Sequence, residues 1–249
     1  MIKGQKEICE GIVLGSTQYQ DDSAIVSFAS QEGLLSFLAK GVYKNKSSLK
    51  ALLISGNHLK IEFTKHQDGP LIASSVCLLG DASLVYTDYK MSIFMMLLNE
   101  LSVSLFRYGD SYPYLDVSAI IKSLQEGGDS LSLSLLFLGS LYKSLGLKMN
   151  CQTCVICGKK ENLVSYSLKD GGFICKDCLS KTDLKAKDKM DLYVLRFAFM
   201  DISPDILLKS APKNSGIRVL NELLENLVDY FDLKPIRTYP LFLKSVSDN

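Results

Sequence analysis

Residues 151–160 read CQTCVICGKK, and residues 171–178 read GGFICKDC. They contain two Cys-x-x-Cys pairs with 17 residues between the pairs, namely Cys154, Cys157, Cys175 and Cys178. This spacing is typical of a four-thiolate zinc site, because two cysteines separated by two residues can turn both sulfurs toward one ion about 2.3 Å away. We therefore expect these four cysteines to bind one zinc ion.

The residues around the two pairs favour a closed, structural site. Gly158 follows the second cysteine, where such a turn often needs a positive φ angle that glycine adopts without steric cost. Gly171 and Gly172 predict a second tight reversal, and apolar residues at 164–168 and 173–174 predict the two short strands of a hairpin. Four thiolates leave no coordination position for water, so the zinc is expected to be structural.

Cys151 leaves the ligand set open, because it extends the first pair to Cys-x-x-Cys-x-x-Cys. One alternative is an iron–sulfur cluster that uses Cys151. The bacterial ferredoxin run needs a further cysteine close behind, followed by proline, and residues 155–168 contain neither. The other alternative is a segment without metal. A thioredoxin-type redox role is disfavoured, because the flanking sequence is helical and not βαβ.

Composition limits the class of protein. The chain has 249 residues, of which 47% are hydrophobic and 22% charged, which suits one large domain or two small ones. Its net charge is +1, so any nucleic-acid surface must be local. Five of the seven cysteines lie in one segment, which argues against a secreted disulfide framework. Cys9 and Cys77 are expected to be buried free thiols.

The sequence has no targeting or membrane-spanning pattern. Residues 1–8 lack the apolar core of a signal peptide. No apolar run reaches about 18 residues without a polar interruption, so no transmembrane helix is expected. We expect a cytoplasmic protein without a membrane partner.

The first 80 residues predict a β domain. Five short apolar or alternating segments are joined by turns, at residues 11–14, 23–28, 34–39, 58–63 and 72–79. Residues 58–63 alternate with the period of two that is typical of a half-buried strand. Five short strands without a long helix predict a small closed barrel, either of the oligonucleotide-binding (OB) type or SH3-like.

The residues after the barrel predict helices. Apolar residues recur at helical spacing over 82–106, 112–124, 130–145, 191–200, 204–210 and 216–231. The cysteine-rich segment lies between the third and fourth of these helices. We therefore predict an α+β protein with a barrel at residues 1–80 and a helical domain at residues 81–249, into which a zinc finger is inserted at residues 151–180.

A basic segment follows the third predicted strand. Residues 40–50 read KGVYKNKSSLK and contain four lysines, one tyrosine and no acid. Lysine and serine side chains contact phosphate oxygens, and a tyrosine ring can stack on a base. In a nucleic-acid interface, the contacting residues of this segment would be Lys40, Tyr43, Lys44, Lys46 and Lys50. The alternative interpretation is a solvated, mobile loop.

The C-terminal residues 233–244 read LKPIRTYPLFLK, which is basic and apolar with two prolines. We expect an extended tail that packs back on the core. In the alternative interpretation, Lys234, Arg237 and Lys244 extend the basic surface.

Catalytic motifs are nearly absent from the sequence. It contains no Walker loop, HExxH or GxSxG. His58 lies in a strand pattern and His66 lies beside a turn, and neither precedes the glutamate that a zinc deaminase needs two residues later. Asp21 and Asp22 are expected to be turn residues and not metal ligands. We therefore expect a protein that is not an enzyme.

These parts, taken in order, resemble the RecO family of recombination mediators. The barrel region has a similar acid-plus-apolar strand at 22–28, followed by AKG at 39–41 and by the basic stretch KNKSSL at 44–49. The helix-embedded finger and the closing segment at 233–243 are also similar. Two features depart from the family pattern: the extra Cys151, and a Thr-Tyr-Pro step at 238–240 where the family has a basic Ser-Arg-type step.

The resemblance implies an OB-type barrel and a function without turnover of a small molecule. RecO-like proteins bind single- and double-stranded DNA, anneal complementary strands and, with RecR, help load RecA onto DNA coated by single-strand-binding protein. Such a protein is expected to be associated with the nucleoid. Two other hypotheses stay open. One is a zinc-stabilised protein–protein adaptor with an SH3-like barrel and no nucleic-acid role, and the other is an enzyme that uses the thiolates.

Overall fold

The computed structural model describes residues 5–65, 70–105 and 111–247. The chain divides into two compact units, Met1–Glu126 and Gly127–Asn249, and each is described by itself. His66 lies outside the described residues.

The first unit contains a closed five-stranded barrel. Its strands are β1 (Gln5–Tyr19), β2 (Ser23–Ser30), β3 (Gly33–Ala39), β4 (His58–Lys65) and β5 (Leu71–Gly80). The strand order is β1-β2-β3-β5-β4, and β4 pairs back to β1. β3 and β5 are parallel, whereas the other pairs are antiparallel. This is the five-stranded Greek-key arrangement of an OB barrel, so the predicted fold class is confirmed and the OB type is the one observed.

The barrel core follows from the period-two alternation of its strands. On β2, Val26 and Phe28 point inward and are fully buried. Ile25, which precedes Val26, is 42% exposed. Phe37 packs edge-on against Phe28 with ring centroids 5.8 Å apart, and it packs against Phe63 of β4 at 5.2 Å. Phe28, Phe37 and Phe63 therefore fill much of the interior of the barrel.

β5 exposes much of its length to solvent. Leu78 is 39% exposed and Leu79 is 47% exposed. The expectation of a buried thiol is wrong for Cys77, which is exposed, while Cys9 on β1 is half-buried. An apolar run does not by itself show which strand of a small barrel has a solvated face.

The helices nearest the barrel belong to its compact unit. A short helix α1 (Leu49–Leu52) precedes β4, and a 3-10 helix (Ser83–Thr87), α2 (Tyr89–Leu105) and α3 (Tyr114–Gln125) follow β5. The turn before β4 packs closely on this part of the unit, because a Cβ added at Gly56 would come within 2.8 Å of Met95 on α2 and 2.9 Å of Ala82, just before the 3-10 helix. β5 ends at Gly80, whereas the two compact units divide after Glu126. The difference arises because α2 and α3 bury their apolar faces on the same unit as the strands.

The second unit is a helical bundle interrupted by a small sheet. Its helices are α4 (Ser130–Ser144), α5 (Lys176–Leu179), α6 (Lys189–Ala198), α7 (Pro204–Leu207), α8 (Lys213–Tyr230) and α9 (Tyr239–Ser247), and its strands are β6 (Asn150–Cys154), β7 (Leu163–Ser167) and β8 (Gly172–Cys175). α4 and α6 cross so closely that a Cβ added at Gly139 would lie 1.7 Å from the carbonyl oxygen of Ala198. The Tyr142 hydroxyl of α4 donates to the carbonyl of Leu223 on α8 at 2.8 Å. The cysteine-rich segment is therefore an insertion between packed helices, as predicted.

The C-terminal residues differ from the predicted extended tail. Residues Tyr239–Ser247 form α9, in which Phe242 is fully buried. The Tyr239 hydroxyl donates to Asn221 on α8. Pro240 does not prevent this helix, because the first turn of a helix has N–H groups without an intrahelical partner in any case. Tertiary packing of Phe242 favours a helix here, whereas the two prolines in the sequence suggested an extended tail.

Over the described ranges, no helix combines the length and the apolar character needed to cross a lipid bilayer.

Candidate metal centre and nucleic-acid interface

The four predicted cysteines converge on one point in the second unit. The sulfurs of Cys154, Cys157, Cys175 and Cys178 all lie within 4.8 Å of one another. The Sγ atoms of Cys157 and Cys175 are 3.6 Å apart. Four sulfurs bound tetrahedrally to an ion at about 2.3 Å would be about 3.8 Å apart, so the cluster has the size that a tetrahedral ion requires.

Local backbone structure places the first pair. Cys154 ends β6, and the chain then reverses at Gly158, whose φ is +76° as the sequence predicts. Gly158 N–H donates to the Cys154 carbonyl at 2.8 Å, and Cys154 N–H donates to the Lys159 carbonyl at 2.8 Å. These two bonds close a tight loop that points both sulfurs to the same side.

The second pair is placed by the junction of a strand and a helix. Cys175 ends β8 and is also the N-cap residue of α5, which carries Cys178. Lys176 N–H donates to the Asn162 carbonyl at 2.9 Å and fixes the start of this turn. The Lys159 ammonium pairs with the Asp177 carboxylate at 2.8 Å, which links the first loop to the second. Since both groups are well exposed, this pair contributes little free energy by itself.

The thiols influence the pKa values of one another. Burial raises the pKa of Cys154, but hydrogen bonds from the backbone N–H groups of Cys175, Cys157 and Ile156 outweigh burial and lower the pKa to about 6. A hydrogen bond with the Cys157 sulfur, together with burial, raises the pKa of Cys178 to about 12. A bound cation would let all four ionise, which fits a structural metal with thiolate ligands.

Cys151 is not a member of the convergent set. Its carbonyl accepts a hydrogen bond from Arg196 Nε of α6 at 3.1 Å, and its thiol is buried. Burial raises the pKa of this thiol to about 11, which suits an inert core residue. The ligand set left open by the sequence is thus reduced to four sulfurs by geometry. An iron–sulfur cluster that uses Cys151 does not fit this arrangement.

Charged side chains fasten the sheet to the helices of the second unit. The Tyr166 hydroxyl of β7 donates to Glu222 of α8 at 2.7 Å, and the Lys187 ammonium donates to the other carboxylate oxygen of Glu222 at 2.6 Å. The same ammonium lies over the Tyr166 ring, 4.9 Å from its centroid. Arg196 lies 5.1 Å over the Phe173 ring of β8. No local sequence pattern indicates these contacts, since the partners are up to 56 residues apart.

The lysine loop, residues 40–50, begins at the end of β3 and is anchored to the turn between β1 and β2. Tyr43 N–H donates to the Asp22 carbonyl at 3.0 Å, and the Lys44 ammonium lies 3.4 Å from the Asp22 carboxylate. Asp22 is therefore a turn residue, as predicted, and it also partners the loop, which the sequence does not indicate. Lys40, Lys44, Lys46 and Lys50 are all exposed.

The lysine loop combines a left-handed turn, a short helix and a half-buried tyrosine. Lys46 has a φ of +69°, in the left-handed region that non-glycine residues rarely adopt. Lys50 belongs to α1, and Ser47 accepts a hydrogen bond from Leu49 N–H at its start. Tyr43 is half-buried and packs against the barrel core, and the Lys50 ammonium lies over its ring at 5.8 Å. The loop thus exposes its ammonium groups to solvent, whereas the Tyr43 ring mainly packs against the barrel core.

The structure contains an OB-type barrel and a helical unit with a four-cysteine cluster. This is the architecture expected from the resemblance of the sequence to recombination mediators. Two family models match the chain: "Recombination protein O N terminal" over residues 5–75 and "Recombination protein O C terminal" over residues 86–234. The first match covers most of the barrel, and the second includes the whole cysteine cluster.

Curated relatives agree with the family models. The chain is 30% identical over 170 residues to the DNA repair protein RecO of Syntrophomonas wolfei, a match that covers 67% of this chain and 68% of the relative. It is 28% identical over 184 residues to the DNA repair protein RecO of Bacillus pumilus, covering 71% and 70%. For the Bacillus mycoides protein of the same name, the identity is 29% over 176 residues, covering 67% and 68%. The chain therefore belongs to the RecO family of DNA repair proteins.

Proposed function

We propose that this protein is a recombination mediator. It binds single- and double-stranded DNA, anneals complementary strands and, together with RecR, helps load RecA onto DNA coated by single-strand-binding protein. The observation that carries this proposal is the lysine loop on an OB-type barrel, in a chain of the RecO family. OB barrels commonly bind oligonucleotides, and exposed lysines supply the contacts to phosphates that such binding needs.

The proposed interface consists of Lys40, Lys44, Lys46, Lys50 and the supporting ring of Tyr43. Each ammonium that neutralises a phosphate releases a condensed counterion, so binding is favoured at low salt and is independent of sequence. Annealing follows from the same electrostatics. Positive charge between two strands screens their repulsion, while the base edges that form pairs stay free.

We propose zinc as the ion of the cysteine cluster, bound by Cys154, Cys157, Cys175 and Cys178. Zinc suits a tetrahedral set of four sulfurs, and with four protein ligands it supplies no open position for chemistry. Its role is then to hold the loop after β6 against α5. Arg196 and Glu222 transmit that order to α6 and α8.

The protein is proposed to act without catalytic turnover, in the cytoplasm at the nucleoid. The competing adaptor hypothesis assumed an SH3-like barrel. The observed OB order removes that premise, although a protein–protein role is still an outcome that the experiment below distinguishes.

Strand annealing is the direct test. Two complementary oligonucleotides that carry a fluorophore and a quencher are mixed at low salt, with and without the protein. We expect the protein to speed quenching, and the effect to disappear at high salt. Replacement of Lys40, Lys44 and Lys46 by Ala should abolish most of the acceleration. A matched variant has Ala at Lys122, Lys185 and Lys209, which are also exposed. It loses the same amount of charge and should still accelerate annealing. Equal rates with and without wild-type protein would support an adaptor role instead.

A further inference from the structure

We propose that Tyr19, at the end of β1, is the residue that stacks on an unpaired base of bound DNA. The inference rests on the proposed DNA-binding function and adds a single-strand-specific contact to it. It differs from the sequence expectation, which gave stacking to Tyr43.

The pairing register places Tyr19 on the outward face of the barrel. Tyr19 pairs with Ser23, and two residues earlier Thr17 pairs with Ile25, so the two β1 side chains share a face with Ile25. Ile25 in turn pairs with Leu38 of β3. Ile25 is exposed and Val26 beside it is buried, which identifies this face as the outer one. The outer face of β2 and β3 is one of the surfaces with which OB barrels bind oligonucleotides.

Among the described residues of the five strands, Tyr19 is the exposed aromatic residue, with 43% of its surface accessible. Phe28, Phe37 and Phe63 all point into the core. The remaining outward residues of β2 and β3 are aliphatic or carry hydroxyl groups, and none of them offers a π-face to a base. A single-stranded nucleic acid that follows this surface therefore meets one stacking platform.

Tyr19 also lies close to the lysine loop. It is three residues from Asp22, and a strand rises about 3.4 Å per residue, so their Cα atoms are at most about 10 Å apart. Asp22 contacts the loop through its carbonyl, which accepts from Tyr43 N–H at 3.0 Å, and through its carboxylate, 3.4 Å from Lys44. A chain of a few nucleotides can therefore contact Lys44 with a phosphate and Tyr19 with a base.

Tyr43 is less suited to this role. One side of it packs against the barrel core, and the Lys50 ammonium lies over its ring. A base could stack there only after Lys50 moved away. Tyr19 has no such competitor for its exposed surface among the described contacts of the barrel.

The proposal separates two kinds of DNA. Lysine–phosphate contacts form with single strands and duplexes alike, because both carry phosphates. Stacking on Tyr19 needs a base that is not already stacked within a duplex. Tyr19 should therefore contribute to the binding of single strands and contribute nothing to the binding of duplexes.

The test measures the affinity of the full-length protein for three fluorescent probes of equal length: a thymidine oligonucleotide, its abasic counterpart and a duplex. Base–aromatic stacking corresponds to a loss of about 5- to 150-fold in affinity per base on substitution by alanine. We expect Tyr19→Ala to lose that much affinity for the thymidine strand and none for the abasic strand or the duplex. Tyr19→Phe keeps the ring and should restore binding. Tyr193→Ala on α6, where the tyrosine is also 43% exposed, is the matched control.

Two results would overturn the proposal. One is a Tyr19→Ala variant that binds the thymidine strand as tightly as the wild type does. The other is an equal loss on all three probes, which would show a structural role for Tyr19. Failure of the proposed function has a different signature, because the wild-type protein would then bind none of the three probes in a salt-dependent manner.

Discussion

The cysteine cluster and the lysine loop are built on opposite principles. In the cluster, four side chains from two loops converge within 4.8 Å, and three of them are buried. In the loop, four lysines of one segment are exposed to solvent. Convergent, buried groups are stable only when a partner ion or hydrogen bond compensates their desolvation. Dispersed, exposed charges cost little and gain free energy only when a polyanion arrives.

This contrast separates stability from binding. Substitutions in the cluster are expected to change the folding of the second unit. They leave the charge of the lysine loop unchanged. Substitutions around the loop are expected to change affinity for DNA with little effect on folding. The predictions below test that separation.

The largest effect is expected for Cys178→Ser. The variant loses one of four thiolates, and structural zinc contributes about 10–16 kcal/mol in small zinc-binding peptides, so the small sheet should lose its metal and its order. Metal content and the urea unfolding of the second unit measure the outcome.

Cys151→Ser is the matched control, because Cys151 lies in the same segment, is buried and is not part of the cluster. It should keep one metal ion per chain. If instead Cys151→Ser loses the ion and Cys178→Ser retains it, the assignment of ligands is wrong.

A smaller loss of stability is expected for Glu222→Gln. The neutral amide weakens the ion pair with Lys187 and replaces a charged acceptor of the Tyr166 hydroxyl, and hydrogen bonds to charged groups contribute about 1.5–3 kcal/mol. Both groups are only about a third exposed, so we expect a loss of about 1 kcal/mol or somewhat more.

The measurement for Glu222→Gln is the urea midpoint of the second unit, with metal content as the control. The variant should still bind its ion, since Glu222 holds the sheet from outside the cluster. Loss of the metal without a change in the midpoint would contradict the proposed arrangement.

Asp22→Asn should raise affinity for DNA. It removes the counter-charge of Lys44 and leaves the carbonyl that anchors Tyr43 N–H. Exposed ion pairs contribute about 0.2–1 kcal/mol, so the expected gain is between about 1.4-fold and 5-fold.

Asp21→Asn removes the same charge from the neighbouring exposed position and serves as the comparison. If both variants gain equally, the pairing of Lys44 with Asp22 has no part in binding. Fluorescence anisotropy with a short single strand provides the affinities.

The smallest effect concerns pH. Burial lowers the pKa of His58, and the nearby negative charge of Glu10 opposes this only in part. The native state therefore favours neutral His58. This contribution to stability is present above the unfolded pKa of about 6.5 and is lost as the pH falls through the lower pKa of the folded state.

His58→Asn should make the first unit less sensitive to acid between neutral pH and about pH 5. Urea midpoints of wild type and variant at the two ends of that range give the comparison. A greater loss of stability in the variant than in the wild type would contradict the prediction.

Local features of the sequence predicted much of this molecule. The cysteine spacing and Gly158 specify a turn that is closed by hydrogen bonds between residues four and five positions apart, so no distant contact is needed to recognise it. The five strands were predicted for a similar reason, because short apolar or alternating segments joined by turns are also local features. The OB order itself depends on the parallel pairing of β3 with β5, which a list of strands does not reveal.

The parts that the sequence did not predict depend on distant partners. α9 forms because Phe242 finds a buried site, and the two prolines nearby suggested an extended tail. Asp22 and Lys44 meet across 22 positions of the chain, and Glu222 meets Tyr166 across 56. Cys77 lies in an apolar run and is nevertheless exposed, since the neighbours of β5 leave that face to solvent.

The central claim is that the lysine loop binds the DNA backbone, and the salt dependence of binding tests it most directly. For single strands, each neutralised phosphate contributes about 0.7 to the slope of log K against log salt. The account predicts that Ala at Lys40, Lys44 and Lys46 lowers the slope by about 2, whereas Ala at Lys122, Lys185 and Lys209 leaves it unchanged. A loop variant with the wild-type slope and the wild-type affinity at low salt would contradict the claim.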